Sequence, residues 1–133
     1  MSHEENDKDI IVSYLRYRLT QREEDFWAFE QILMEARCEP NLCWGKIQGL
    51  LLATCDESEL SYVAAGPLED LFNNFPDWTI ARVTEEIGIN RRLAFAVTQV
   101  WLQKDNSAFA EIEKLVDQYK LRNVNPLNCE NWP

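Results

Sequence analysis

The chain has 133 residues and a net charge of −10, from 23 acids and 13 bases. Such a field repels nucleic acid and anionic membranes, which carry dense negative charge, and it speeds encounter with a basic protein. The length suits one domain that buries about two-thirds of its unfolded surface and needs no metal or disulfide.

The first residues, Met1 to Asn6, show neither the basic stretch nor the apolar stretch of a leader. No apolar run approaches the ~18 residues of a membrane span. The expected setting is therefore the cytoplasm, with Cys38, Cys43, Cys55 and Cys129 as thiols. No Cys-x-x-Cys pair occurs and His3 is the single histidine, so neither zinc nor any other cofactor is expected.

Asp7 and Asp9 open the first helical pattern, in which Ile11, Tyr14, Leu15 and Leu19 recur at three- and four-residue steps as far as Thr20 or Gln21. Glu23, Glu24 and Asp25 begin a second helix, whose apolar stripe is Phe26, Phe29, Ile32, Leu33 and Ala36. It stops before Pro40, because a residue preceding proline avoids the helical region. A third helix starts at Pro40–Asn41 and carries Leu42, Trp44, Ile47, Leu50, Leu51 and Cys55. It is the most apolar stretch and should lie at the centre, with Gly45 and Gly49 allowing a close neighbour.

Asp56 or Ser58 caps a short fourth helix through Leu60, Val63 and Ala64. Gly66-Pro67 reads as a break, with Gly66 as cap and Pro67 at the first position of a new helix running through Leu68, Leu71, Phe72 and Phe75. Asp77 caps the next, with Ile80, Ala81, Val83, Thr84 and Ile87 inward and Gly88 closing it. Asn90 caps another, with Leu93, Ala96, Val97, Val100 and Trp101 as its stripe. Asp105, Asn106 and Ser107 cap the last, with Phe109, Ile112, Val116 and Tyr119 inward, and the chain reads as a tail from Leu121 onward.

No alternating strand pattern occurs. The expectation is an all-α fold: one domain over 1–133, a compact bundle of seven or eight short antiparallel helices, with mobile ends at about 1–7 and 122–133. A short α-solenoid of helical hairpins is the alternative.

Ala65-Gly66-Pro67-Leu68-Glu69-Asp70-Leu71-Phe72 is the least ordinary segment. It resembles an uncharacterised family of small bacterial domains that share an A-G-P-L-E-D-L-[LF] segment, with Trp44-Gly45-Lys46-Ile47 and Val100-Trp101 in the places of its flanking helices. Arg91 or Arg92 matches a basic position between them. The resemblance spans about residues 40–102 and leaves 1–39 and the tail outside. It implies membership of a group without assigned activity, and so no mechanism.

Gly66, Pro67, Arg91, Arg92, Trp44 and Trp101 are expected to be structural. Glu69, at the third helical position, can reach back to the cap. Arg91 and Arg92 sit near the positive end of their own helix, which disfavours cations. One of them is expected to pair with Glu69 or Asp70.

The leading functional expectation is an acidic protein-binding module, an inhibitor or immunity-type protein that covers a basic partner of the toxin or nuclease kind. Glu69, Asp70, Asp56, Glu57, Glu59, Trp27 and Trp78 are its candidate partner-binding residues. Neighbouring acids on a helix point about 100° apart, so Glu69 and Asp70 do not readily share one metal. The alternative is a structural adaptor, monomer or dimer, using the aromatics Trp27, Trp78 and Trp132. A carboxylate-dependent hydrolase that adds Glu85 and Glu86 ranks last. No nucleophile motif occurs, and Cys38 beside Arg37 is the one hint of a reactive thiol.

Overall fold

The computed structural model describes residues 3–54 and 56–121. It is all-helical, in the order α1 (His3–Thr20), α2 (Glu23–Cys38), α3 (Pro40–Ala53), α4 (Glu57–Val63), a π-helical turn (Ala64–Leu68), α5 (Glu69–Asn74), α6 (Pro76–Glu86), α7 (Arg91–Gln99) and α8 (Phe109–Tyr119). Cys55, Cys129 and Trp132 lie outside the described residues.

Short links set the packing. Gln21, left-handed at φ 53°, turns the chain between α1 and α2, and the extended Glu39 stops α2 where Pro40 starts α3. The three helices pack on one another. The π-turn and α5 lie against α2, α7 lies against α3 and α4, and α8 closes over α6. In a solenoid each unit touches only its neighbours in sequence. Here α3 meets α7, and the compact bundle is the arrangement found.

The core is one cluster in which Ile32, Ile47, Leu50, Leu51, Leu68, Leu71, Phe72 and Leu93 are almost wholly buried. The helix α3 supplies its centre, as its composition predicts, although Leu42 is exposed and Cys43 takes the inward place. Leu19 and Phe26, expected inward, are exposed as well, while Leu121, read as the start of a tail, is buried.

Two carboxylates face inward on α2, which apolar periodicity did not reveal. Asp25 receives a two-pronged contact from Arg16 of α1, at 2.9 and 2.7 Å. Those hydrogen bonds hold its carboxyl below the usual range. Glu35 receives Lys46 of α3 at 2.7 Å and Gln31 at 2.7 Å. Each pair ties α2 to a neighbour at a place where a lone charge would be costly.

Several helix ends differ from expectation. Asp56 does cap α4, accepting the Glu59 N–H at 2.8 Å, and Asn90 caps α7 through the Leu93 N–H at 3.0 Å. Asp77, however, makes no cap: Pro76 already starts α6, and the Asp77 carboxylate accepts from the Ser107 hydroxyl at 3.0 Å. Gly88 has no left-handed φ, and it lies against the Tyr119 ring instead. Thr79 turns inward in place of Ala81 and Thr84, donating to the Leu71 and Phe75 carbonyls at 3.1 and 2.7 Å. The polar threonine fits because two carbonyls at the α5–α6 junction, each already accepting one backbone N–H, share its hydroxyl as a further donor.

Candidate functional site

The helix does not break at Gly66-Pro67. Proline has no N–H and its ring crowds the carbonyl four residues earlier, so an α-helix normally ends there. Here the register widens by one residue: the Glu69 N–H reaches the Ala64 carbonyl, five positions back. Residues 63 and 69 on either side keep right-handed helical angles, so α4 and α5 are continuous through the turn. Gly66 is therefore no cap and Pro67 no first helical residue. Single π-turns inside helices of this kind are frequent at functional sites.

The widened turn holds its backbone against Tyr14 of α1. A side chain on Gly66 would place its first carbon 2.7 Å from the Tyr14 hydroxyl, so the ring or the turn would have to shift to admit one. Beside this contact lies a cavity of about 310 Å³ between α1, α2, α4, the π-turn and α5. Tyr14, Phe29 and Tyr62 give it aromatic walls, and Ile32, Leu33 and Pro67 aliphatic ones. The Tyr14 ring lies 6.2 Å from Phe29, stacked, and 5.3 Å from Tyr62, tilted by 39°. Asp70 is the one acid in the lining.

Burial, and then the neighbouring Tyr62, push the Tyr14 hydroxyl far above the ordinary tyrosine range; burial also raises Tyr62. Both stay protonated at neutral pH and offer hydroxyls, not charges. Burial raises the Asp70 carboxyl too, with Arg37 of α2 pulling the other way. Among the described residues no group donates a hydrogen bond to the Asp70 carboxylate, and no cation lies within ion-pair distance. A half-buried carboxylate thus lines an aromatic cavity without an ion-pair partner among the described residues.

The two acids of the segment diverge, as the turn of a helix requires. Glu69 accepts the main-chain N–H of Trp101 at 2.7 Å and so ties α5 to the end of α7. It does not reach back to a cap. The Trp101 ring, expected in the core, is 69% exposed, while Trp44 is buried. Neither arginine was needed for that tie. Arg92 crosses to the C-terminal end of α3, donating to the carbonyls of Leu51 at 2.7 Å, Leu52 at 3.0 Å and Thr54 at 2.8 Å. The conflict with its own helix dipole is met by the negative end of another helix. Arg91 is buried at the first turn of α7.

The other candidates scatter. Asp56 is occupied as a cap, Glu57 is exposed and Glu59 is half-buried. Arg18 donates to Ser58 and lies 5.8 Å over the Tyr62 ring, which brings a positive charge to that acidic cluster. Trp27 is 48% exposed, beside a polar hollow that includes Arg16, Arg22 and Glu24. Trp78 is half-buried rather than free: it meets Trp44 edge-on at 6.4 Å, and Arg82 covers it at 5.1 Å.

Glu86 accepts from Gln48 at 2.7 Å and Glu85 meets Arg82 at 3.5 Å, so the two acids that the hydrolase alternative adds each have a partner. Among the described residues no three His, Cys, Asp or Glu side chains gather as a metal would need, and no helix is long and apolar enough to cross a membrane. Cys38 is exposed, and Cys43 is buried, its thiol pushed up to about 12, which makes it inert. A broader groove of about 570 Å³ between α1 and α3 is apolar, with Lys46 its single charge.

Sequence reasoning placed Asp70 among the candidates but assigned Tyr14 and Phe29 to the core and did not single out Tyr62. A proline inside an otherwise unbroken apolar pattern was the available signal for the π-turn.

Comparison with known proteins gives one match: residues 16–123 fit the family described as "Family of unknown function (DUF6869)". No curated protein and no solved structure matches. The match is broader than the resemblance over 40–102, taking in the end of α1 from residue 16 and all of α2, which supplies Phe29, Ile32 and Leu33 of the cavity wall, while Tyr14 lies just before it.

Proposed function

The chain belongs to this family of unknown function, and from that premise we propose that it is an acidic protein-binding module of the cytoplasm, an inhibitor or immunity-type protein that covers a basic partner. The observation that carries the reading is Asp70. It is an acid held at an open aromatic cavity, without a donor among the described residues, in a molecule of charge −10. Structural acids in this chain are used up internally: Asp25, Glu35, Glu69 and Glu86 each have a partner. Asp70 is not, and burial makes its ionised form unfavourable. Groups kept at such a cost cluster at functional sites.

The reading takes the Ala65–Phe72 segment as the mark shared by the family, because it builds the π-turn and delivers Asp70. An acidic surface steers a basic partner into place and excludes nucleic acid from whatever it covers. This is the logic of an inhibitor of a basic toxin or nuclease.

The test is affinity capture from the native cells, comparing the wild-type chain with a variant in which Glu57 and Asp70 are replaced by Gln and Asn. A basic protein retained by the wild type, lost by the variant and released as salt rises past physiological strength is the expected result, since screening acts over about 8 Å there. Retention that ignores both the substitutions and the salt refutes the electrostatic reading.

A further inference from the structure

The cavity beside the π-turn has a shape and chemistry that narrow the partner further. Resting on the protein-binding reading above, we propose that it is a socket for one arginine side chain of the partner, with the aliphatic stem against Ile32, Leu33 and Pro67 and the guanidinium between the aromatic rings and the Asp70 carboxylate. Four observations carry this.

First, the cavity is open and about 310 Å³, at the lower end of the size of ligand pockets and suited to one side chain rather than a larger cofactor. Second, its polar content is one carboxylate and two tyrosine hydroxyls in an otherwise apolar wall. A purely apolar occupant would seal Asp70 away from water with no donor, which is unfavourable. An anion would meet the same carboxylate as a like charge. A cation on an apolar stem satisfies both halves of the wall.

Third, the rings favour guanidinium over ammonium. Guanidinium is planar and weakly hydrated, stacks on aromatic faces and gives a carboxylate two parallel N–H groups, whereas ammonium is a strongly hydrated point charge. The chain itself shows the preference: both cation–ring contacts among the described residues, Arg18 over Tyr62 and Arg82 over Trp78, use arginine and neither uses lysine. Arg18 does not line the cavity, which leaves the inner wall free for a second guanidinium.

Fourth, among the described residues nothing fills this role. Arg37 is exposed and influences Asp70 only from beyond ion-pair distance, so the carboxylate is biased toward a cation without being neutralised by one. The narrow contact between Gly66 and the Tyr14 hydroxyl fixes the floor, so the socket exists before the partner arrives and little ordering is lost on binding.

The experiment uses the full chain with labelled tyrosines and follows their ring signals by NMR. The probes are acetyl-Gly-Arg-Gly-amide, its lysine counterpart, and the citrulline counterpart, which keeps the shape of arginine without the charge. Saturable shifts of Tyr14 and Tyr62 are expected with the arginine peptide, weaker by about tenfold with citrulline and several-fold with lysine. Asp70→Asn, which preserves shape, should lower the arginine affinity about tenfold and leave the spectrum otherwise folded. Equal response to arginine and citrulline, equal response to arginine and lysine, or an unchanged affinity in Asp70→Asn overturns the socket. If the peptides fail while salt-sensitive capture of a basic protein persists, the socket is wrong and the acidic module stands. If the arginine peptide binds as described but no basic partner is captured, the socket stands and the protein-partner reading falls.

Discussion

The carboxylate of Asp70 links stability to the proposed function at a single atom group. Its acid form is favoured in the folded chain, so its folded pKa lies above the ordinary aspartate value of about 3.9. The sign follows: between the ordinary and the raised value the folded state binds more protons than the unfolded one, and stability falls as pH rises through that window. Below it both states are protonated and the effect vanishes. Asp70→Asn should therefore melt higher than the wild type at pH ~7, with the gap closing toward pH ~3. Thermal melts at both pH values check this, and a variant that melts lower at neutral pH would show Asp70 to be a stabilising residue instead. The same residue shows what sequence could offer. Glu69 and Asp70 were both legible as candidates, and their divergence followed from helix geometry alone. Which of the two faces a cavity was not legible, because that depends on Trp101, 32 positions away from Glu69, presenting its N–H. Asp25 and Glu35 escaped for a related reason: periodicity counts apolar residues, and a buried acid paired across helices looks like a surface acid.

At the level of the element, the π-turn decides the geometry. Helix existence was readable nearly everywhere, since apolar spacing and Asp56, Asn90 and the prolines act over a few residues. The register change at Ala64–Leu68 was not, because Pro67 in an isolated pattern reads as a start, and it is packing against α2, α3 and α7, with Tyr14 of α1 at Gly66, that stabilises the alternative. Two effects compete when Gly66 becomes alanine. Alanine gains up to about 1 kcal/mol of helix propensity. Against it stands a contact of 2.7 Å with the hydroxyl of Tyr14, a ring that is almost fully buried and packed on Phe29 and Tyr62, so that yielding disturbs those contacts. Overpacking of that kind costs about 1–3 kcal/mol. Gly66→Ala should therefore destabilise, by about 1–2 kcal/mol net. Removing the obstructing atom with Tyr14→Phe should recover at least half of that loss. A double-mutant cycle in denaturant melts measures the coupling, and strictly additive losses would mean that the hydroxyl and the turn do not touch.

For the molecule as a whole, the surface charge opposes the core. With a net charge of −10, like charges repel across a small body, and that repulsion is relieved on unfolding. The ion pairs that resist it are of two kinds. Arg16–Asp25 and Lys46–Glu35 each engage an inward-facing acid, and salt screens such pairs little. Arg22–Glu24, Arg82–Glu85 and Lys114–Glu111 are more exposed and contribute at most a fraction of a kcal/mol each, on the order of 0.5. Salt therefore removes more repulsion than attraction. The melting temperature should rise as ionic strength goes from about 0.01 to 0.15 M, over which the screening length falls from about 30 to 8 Å. Association with a basic partner should weaken over the same range. The two trends have one cause: the acidic surplus that speeds encounter is the same field that strains the free fold. Thermal melts against salt check the first trend without any partner in hand. A melting temperature that falls with salt would mean that surface pairs outweigh repulsion, and the acidic exterior would then need no partner to explain why it is kept.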